Sequence, residues 1–201
     1  MAPGNAPAVA WIDRWPNWPA RVLGLHGPAG CGKSHLVQVF AARAAARVIE
    51  AAALDVARAG ELAKPGAAVA VEEADRGVDE RALFHLFNAV NEQQGWLLLT
   101  GREAPARWSV ALPDLRSRLS AIPTAAIEAP DDAMMQAVLV KLFADRHIAV
   151  PPEVVEYLLR HMERSFASAR RMADLADRES LAGQRAVTVP LVRALLERAA
   201  D

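Results

Sequence analysis

Apolar positions in the first two thirds of the chain fall into two alternating patterns. Short continuous apolar runs, the mark of strands buried on both faces, are separated by stretches in which apolar residues recur at three- and four-residue steps, the mark of helices. Val22-Leu23-Gly24-Leu25-His26 is such a run, and Ser34 to Ala46 behind it has helical periodicity. The alternation continues with a strand over Val48–Ala52, a short helix over Leu54–Leu62 and a strand over Ala67–Val71. Asp79–Gln94 is amphipathic, with Leu83, Phe84, Phe87 and Val90 on one face. Strands over Trp96–Thr100 and Thr124–Ile127 flank a short helix over Pro113–Ser120. Ahead of all these, Asn5 is placed to cap a helix that runs to Arg14, and Trp15-Pro16-Asn17-Trp18-Pro19 ends it, because proline removes an amide donor and restricts its predecessor.

After Ala129-Pro130 the pattern changes. Asp131–Arg146, Pro152–Met162, Ala167–Leu181 and Val189–Ala199 all read as helices with no strand between them. Asp131 or Asp132 supplies a cap, and Pro151-Pro152 sits where a helix start tolerates proline. The expected architecture is α/β, a three-layer core over residues 1–130 with a five-stranded, mostly parallel sheet, followed by a small all-α lid over residues 131–201.

Composition narrows the function classes. Hydrophobic residues make up 53%, but runs such as Ala44–Ala46 and Ala51–Ala53 supply much of that figure without large core side chains. No run approaches the roughly 20 apolar residues of a membrane span, and the start lacks a signal pattern, so a cytoplasmic protein without membrane contact is expected. The single cysteine, Cys31, excludes an internal disulfide framework and a cysteine-based metal site. A net charge of −1 lacks the basic excess of a broad phosphate-backbone surface, which argues against direct sequence-specific DNA binding.

Gly27-Pro28-Ala29-Gly30-Cys31-Gly32-Lys33-Ser34 matches G-x-x-x-x-G-K-[ST] between a predicted strand and a predicted helix, the setting this motif requires. Glycines let the backbone wrap phosphates, and the amides and helix N-terminus supply positive potential. Lys33 reaches the β- and γ-phosphates, and the Ser34 hydroxyl ligates magnesium. His35 closes the segment, and neither it nor His26 has a partner at metal-ligand spacing. ADP or ATP with Mg2+ is the expected ligand. Ala67-Ala68-Val69-Ala70-Val71-Glu72-Glu73 is an apolar strand ending in two carboxylates, as expected of an element beside the phosphate loop. In that position Glu72 holds magnesium through water and Glu73 polarises the attacking water. The alternative is a polar surface turn.

In this order the elements resemble the DnaA/Hda family of AAA+ proteins, and its short regulatory members more closely than its full-length initiators. The resemblance rests on Asn5 before a helix, Ser34-His35-Leu36, Val71-Glu72-Glu73, Leu97-Leu98-Leu99-Thr100, the segment Asp177-Arg178 to Val189-Pro190, and above all Leu112-Pro113-Asp114-Leu115-Arg116-Ser117-Arg118-Leu119. It implies that Asn5 lies on the adenine side and that Arg118, or less directly Arg116, is an arginine finger acting in trans on a neighbour's nucleotide. A surface salt bridge is the plainer role for Arg118. The implied partner is DnaA, with head-to-tail docking and a possible homo-oligomer. Family members of this kind begin with a segment that binds the sliding clamp. Nothing before Trp11 resembles it, so clamp binding is expected only if the parent protein carries such a segment upstream. Arg102 stands where the family carries aspartate, and Ala167 where it carries a lid arginine, with Arg170 and Arg171 a turn later. Three functions follow: a regulator delivering Arg118 to DnaA and so restraining replication initiation, a self-contained ATPase motor or loader using Glu73, or a non-hydrolysing clamp-loader-like scaffold.

Overall fold

A computed structural model describes residues 5–183 and 186–200. Its contacts divide the chain into an α/β unit ending at Glu128 and a helical unit beginning at Ala129. In the α/β unit, β1 (Val22–His26), β2 (Arg47–Glu50), β3 (Ala68–Glu72), β4 (Trp96–Gly101) and β5 (Thr124–Ala126) form one sheet in the order β2-β3-β4-β1-β5. Every pairing is parallel.

The three central strands are buried along nearly their whole length, and this is why they read as continuous apolar runs. Alternate residues feed two cores. Val22, Val69, Val71, Leu97 and Leu99 pack under α3 (Val56–Leu62), α4 (Glu80–Glu92) and α5 (Pro113–Ala121). Leu23, Leu25, Ala70 and Leu98 face α1 (Ala6–Arg14) and α2 (Lys33–Ala44). Trp15 and Trp18 belong to this second core: Trp18 stacks on Phe40, and Trp15 and Trp18 each meet Trp96 edge-on.

Three local expectations are corrected. The second strand ends at Glu50, and Ala51–Ala53 form a 3-10 turn, because the neighbouring strand ends at Glu72 directly opposite Glu50 and offers Ala51 and Ala52 nothing to pair with. Helix α2 stops at Ala44, since Ala45 takes a left-handed φ of 49° as the chain swings into β2. Asn5 stands at the N-cap of α1 but makes no side-chain cap. Its backbone is already helical (φ −96°, ψ −4°), whereas a capping side chain needs extended backbone to fold back. Its Oδ1 instead accepts Glu128 N at 3.0 Å, tying the entry of α1 to the last residue of the α/β unit. Residues 1–4, part of the stretch in which a clamp-binding segment was sought, lie outside the described residues.

The helical unit comprises α6 (Asp132–Ala144), α7 (Pro152–His161), α8 (Phe166–Gly183) and α9 (Val189–Ala200). Asp131 caps α6 by accepting Met134 N at 2.8 Å. Leu139, Phe143, Leu158, Met172 and Val192 form its core. No described helix is long and apolar enough to cross a membrane.

Candidate functional site

The chain leaves β1 at His26 and turns through Gly27 to Gly32 before α2 begins at Lys33. Gly30 and Gly32 adopt φ of 69° and 110°, which side-chain-bearing residues rarely take. At Gly27 the constraint is space: a Cβ there would lie 2.1 Å from the Ile127 carbonyl oxygen. Cys31 is buried at 1% exposure, its side chain turned inward as packing. Among the described residues, the amides of Gly30, Gly32, Lys33 and Ser34 donate to no backbone carbonyl. These donors at the start of a twelve-residue helix give the loop the polarity of an anion cradle. Lys33 Nζ folds back onto the carbonyls of Gly27 and Pro28 at 2.7 and 2.8 Å.

Glu72 is brought to the loop from the end of β3. Strand β3 is not adjacent to β1, since β4 lies between them. The contact is made through α2, which packs against β3 and carries Ser34 in its first turn. Ser34 Oγ donates to Glu72 Oε2 at 2.5 Å, and Glu72 is only 7% exposed. With its proton given to Glu72, the hydroxyl presents oxygen lone pairs outward, the donor character a hard cation takes. Ser34 and Glu72 together therefore fit a magnesium ion.

Glu73 follows with a left-handed φ of 54°. Such a backbone costs about 1–3 kcal/mol and persists only where neighbours enforce it. Thr100, 1% exposed, does so: its hydroxyl accepts Glu73 N at 3.1 Å and its carbonyl accepts Ala74 N at 2.7 Å. The turn leaves the Glu73 side chain exposed. Glu50, in register with Glu72, adds a third carboxylate that the sequence analysis passed over. Burial, then the charges of Glu72 and Glu73, push the Glu50 carboxyl above its ordinary value. At the other edge of the loop, burial holds the His26 imidazole below its ordinary value. Glu103 opposes this and Arg107 and Lys33 reinforce it. His35 is exposed on α2.

The two arginines of α5 have different environments. Arg116 spends its guanidinium on the Val110 carbonyl, to which both Nε and one terminal nitrogen donate. Arg118 is exposed, and among the described residues it pairs with no carboxylate, so the salt-bridge role does not hold. Its Cζ lies 5.3 and 5.5 Å from the ring centroids of Phe84 and Phe87 on α4. It borders a groove of about 230 Å3 lined by Arg21, Val22, Phe87, Asn91 and Ile122.

Residues 132–196 match the family described as Hda, lid domain. In that segment the chain is similar to the lid of Hda proteins. Its fold is similar to that of domain III of the Thermotoga maritima replication initiation protein DnaA, with a TM-score of 0.82 at 18% identity over 98% of this chain and 93% of that one. It is also similar to AMPPCP-bound DnaA from Aquifex aeolicus, with a TM-score of 0.68 at 17% identity over 91% of this chain. The match spans 64% of that longer DnaA. The likeness of fold extends to a Thermotoga maritima RuvB K64R mutant, with a TM-score of 0.77 at 12% identity over 96% of this chain and 67% of that one. The phosphate loop, the Glu72-Glu73 strand end and the α5 arginines all lie in the α/β unit, outside the segment that matches the lid family.

Proposed function

We propose that this protein is a nucleotide-dependent regulator of replication initiation that binds ADP or ATP with Mg2+ at Gly27–Ser34 and promotes hydrolysis of ATP held by DnaA. The observation that carries the reading is the state of Arg118. Its guanidinium is exposed, unpaired with any described carboxylate and rested on aromatic faces, so its five N–H donors stay open to a phosphate, while Arg116 beside it is consumed by Val110. A planar, permanent cation suits γ-phosphate oxygens as their charge is redistributed in the transition state.

In this chain's own site, the free amides of the loop and Lys33 hold the phosphates, Asn5 lies toward the adenine, and Ser34 with Glu72 holds the metal. The ion supplies charge neutralisation on the phosphate oxygens when bound. Lys33 exchanges its loop carbonyls for phosphate as nucleotide enters. Glu73 orients water for whatever intrinsic hydrolysis the chain has. The bound nucleotide acts as a conformational anchor more than a fuel. The AMPPCP carried by the Aquifex relative is consistent with an adenine nucleotide as ligand.

Lys33→Ala is expected to abolish nucleotide binding measured by equilibrium titration, whereas Arg118→Ala retains it and loses the stimulation of DnaA hydrolysis. Equal loss of nucleotide in both variants would sink the assignment of Arg118 to a neighbour's site.

A further inference from the structure

Helix α4 meets both the entry and the later turns of α5. Near its start, the Glu80 carboxylate accepts Ala111 N on both oxygens, at 2.8 and 3.0 Å, and Leu112 N at 2.8 Å. Leu112 is the residue from which α5 departs. One and two turns further along α4, the Phe84 and Phe87 rings take the Arg118 guanidinium. One helix therefore anchors the backbone that carries the arginine and also the arginine's charged end.

We propose that Phe84 and Phe87 are positioning residues for Arg118, a platform that holds its guanidinium oriented for delivery to a partner's phosphate. This rests on the role given to Arg118 above. Arginine has a long side chain with large rotamer entropy, so presenting it in one place is costly unless something holds it. A carboxylate partner would hold it but would neutralise its charge and occupy its donors, as the Val110 carbonyl occupies those of Arg116. An aromatic face attracts the guanidinium through the ring quadrupole and leaves the N–H groups at the edge unspent. Glu80 adds register, because the amides it accepts fix where α5 begins relative to the two rings. Phe87 is part of the buried core, whereas Phe84 is only half-buried and can be changed with less damage.

The test compares Phe84→Leu, which keeps the bulk and removes the ring, with Phe84→Tyr, which keeps the face. Two readouts are needed: the 15N relaxation of Arg118 Nε in the chain alone, and the hydrolysis of ATP on ATP-loaded DnaA as a function of added chain. Leucine is expected to loosen Arg118 Nε and lower the saturated rate about five- to tenfold, leaving the half-saturating concentration unchanged. Tyrosine restores both. A leucine variant with wild-type order and rate overturns the platform, as does one with a raised rate, which would make the rings a resting place that hinders delivery. Arg118→Ala separates the two levels of the argument. If it stimulates like wild type, the trans role fails and the platform with it. If it is silent while Phe84→Leu is unaffected, the platform alone fails.

Discussion

Substituting Gly27 by alanine tests how tightly the phosphate loop is built into the end of the sheet. The added Cβ would lie 2.1 Å from the Ile127 carbonyl oxygen and 3.0 Å from Cys31 Sγ. Ordinary heavy-atom contact requires a separation greater by about 1 Å at the first of these atoms. Neither neighbour yields freely. Ile127 N donates to His26 O at 2.7 Å, Gly27 N donates to Gly101 O at 3.2 Å, and Cys31 is enclosed. Opening the space sacrifices one of these backbone hydrogen bonds, at about 0.5–1.5 kcal/mol net, and forces overpacking of about 1–3 kcal/mol. The sum is about 1.5–4.5 kcal/mol, which lowers the melting temperature of a chain of this size by about 3–18 °C. Calorimetric melts of the nucleotide-free protein measure it directly. Gly60→Ala is the control: no heavy atom lies within 4 Å of its added Cβ, and in helix α3 the exchange gains about 0.5–1 kcal/mol of helix propensity. The reasoning is refuted if Gly27→Ala melts with the wild type, or if the two substitutions shift the transition in the same direction.

Other predictions concern the cores and the titrating groups. Phe143→Ala empties the centre of the helical unit, where the ring is fully buried, and is expected to cost about 3–5 kcal/mol in urea unfolding; a loss under about 1 kcal/mol would contradict that packing. Burial lowers the His26 pKa in the folded chain, so the unfolded chain binds the proton more strongly. Its contribution to stability is complete above the ordinary value of 6.5 and is lost as pH falls from there through the lowered folded value. His26→Gln should therefore flatten the acid slope of stability in that window, and unchanged slopes in the two proteins would count against the assignment. Glu72→Gln keeps an acceptor for Ser34 and removes a charge that helps hold Glu50 up, so the Glu50 carboxyl, followed by NMR, should titrate lower; an unmoved midpoint would show that the Glu72 charge does not act on it.

The fold was legible where a strand is covered on both faces. Val22–His26, Ala68–Glu72 and Trp96–Gly101 announce themselves because the positions ahead of their C-terminal ends are apolar or glycine, whichever face they point to. Edge strand β2 was misplaced at both ends, since its residues are mostly exposed and the alanines after it have no preference that distinguishes strand from turn. The turn at Gly27–Ser34 was legible because its glycines and the lysine-serine pair stand in fixed spacing along one segment, between a strand and a helix. What the sequence hid are contacts made across it. Thr100 braces Glu73 from 27 residues away, and Glu80 reaches Ala111 and Leu112 from 31 and 32 away. Asp79-Glu80 reads only as a helix start, and Asp79 does cap α4, which leaves no local trace of the second task of Glu80. The difference between Arg116 and Arg118 also lies outside the motif, in Val110 and in two rings of another helix.

The decisive question is whose nucleotide is consumed. ATP labelled on this chain and ATP labelled on DnaA can be followed separately in one mixture under single-turnover conditions. The prediction is that the DnaA-bound label is hydrolysed, by a factor on the order of 10³ faster with wild type than with Arg118→Ala, while the label on this chain is turned over slowly with or without DnaA. Rapid turnover of this chain's own label in the absence of DnaA, abolished by Glu73→Gln and untouched by Arg118→Ala, would contradict it.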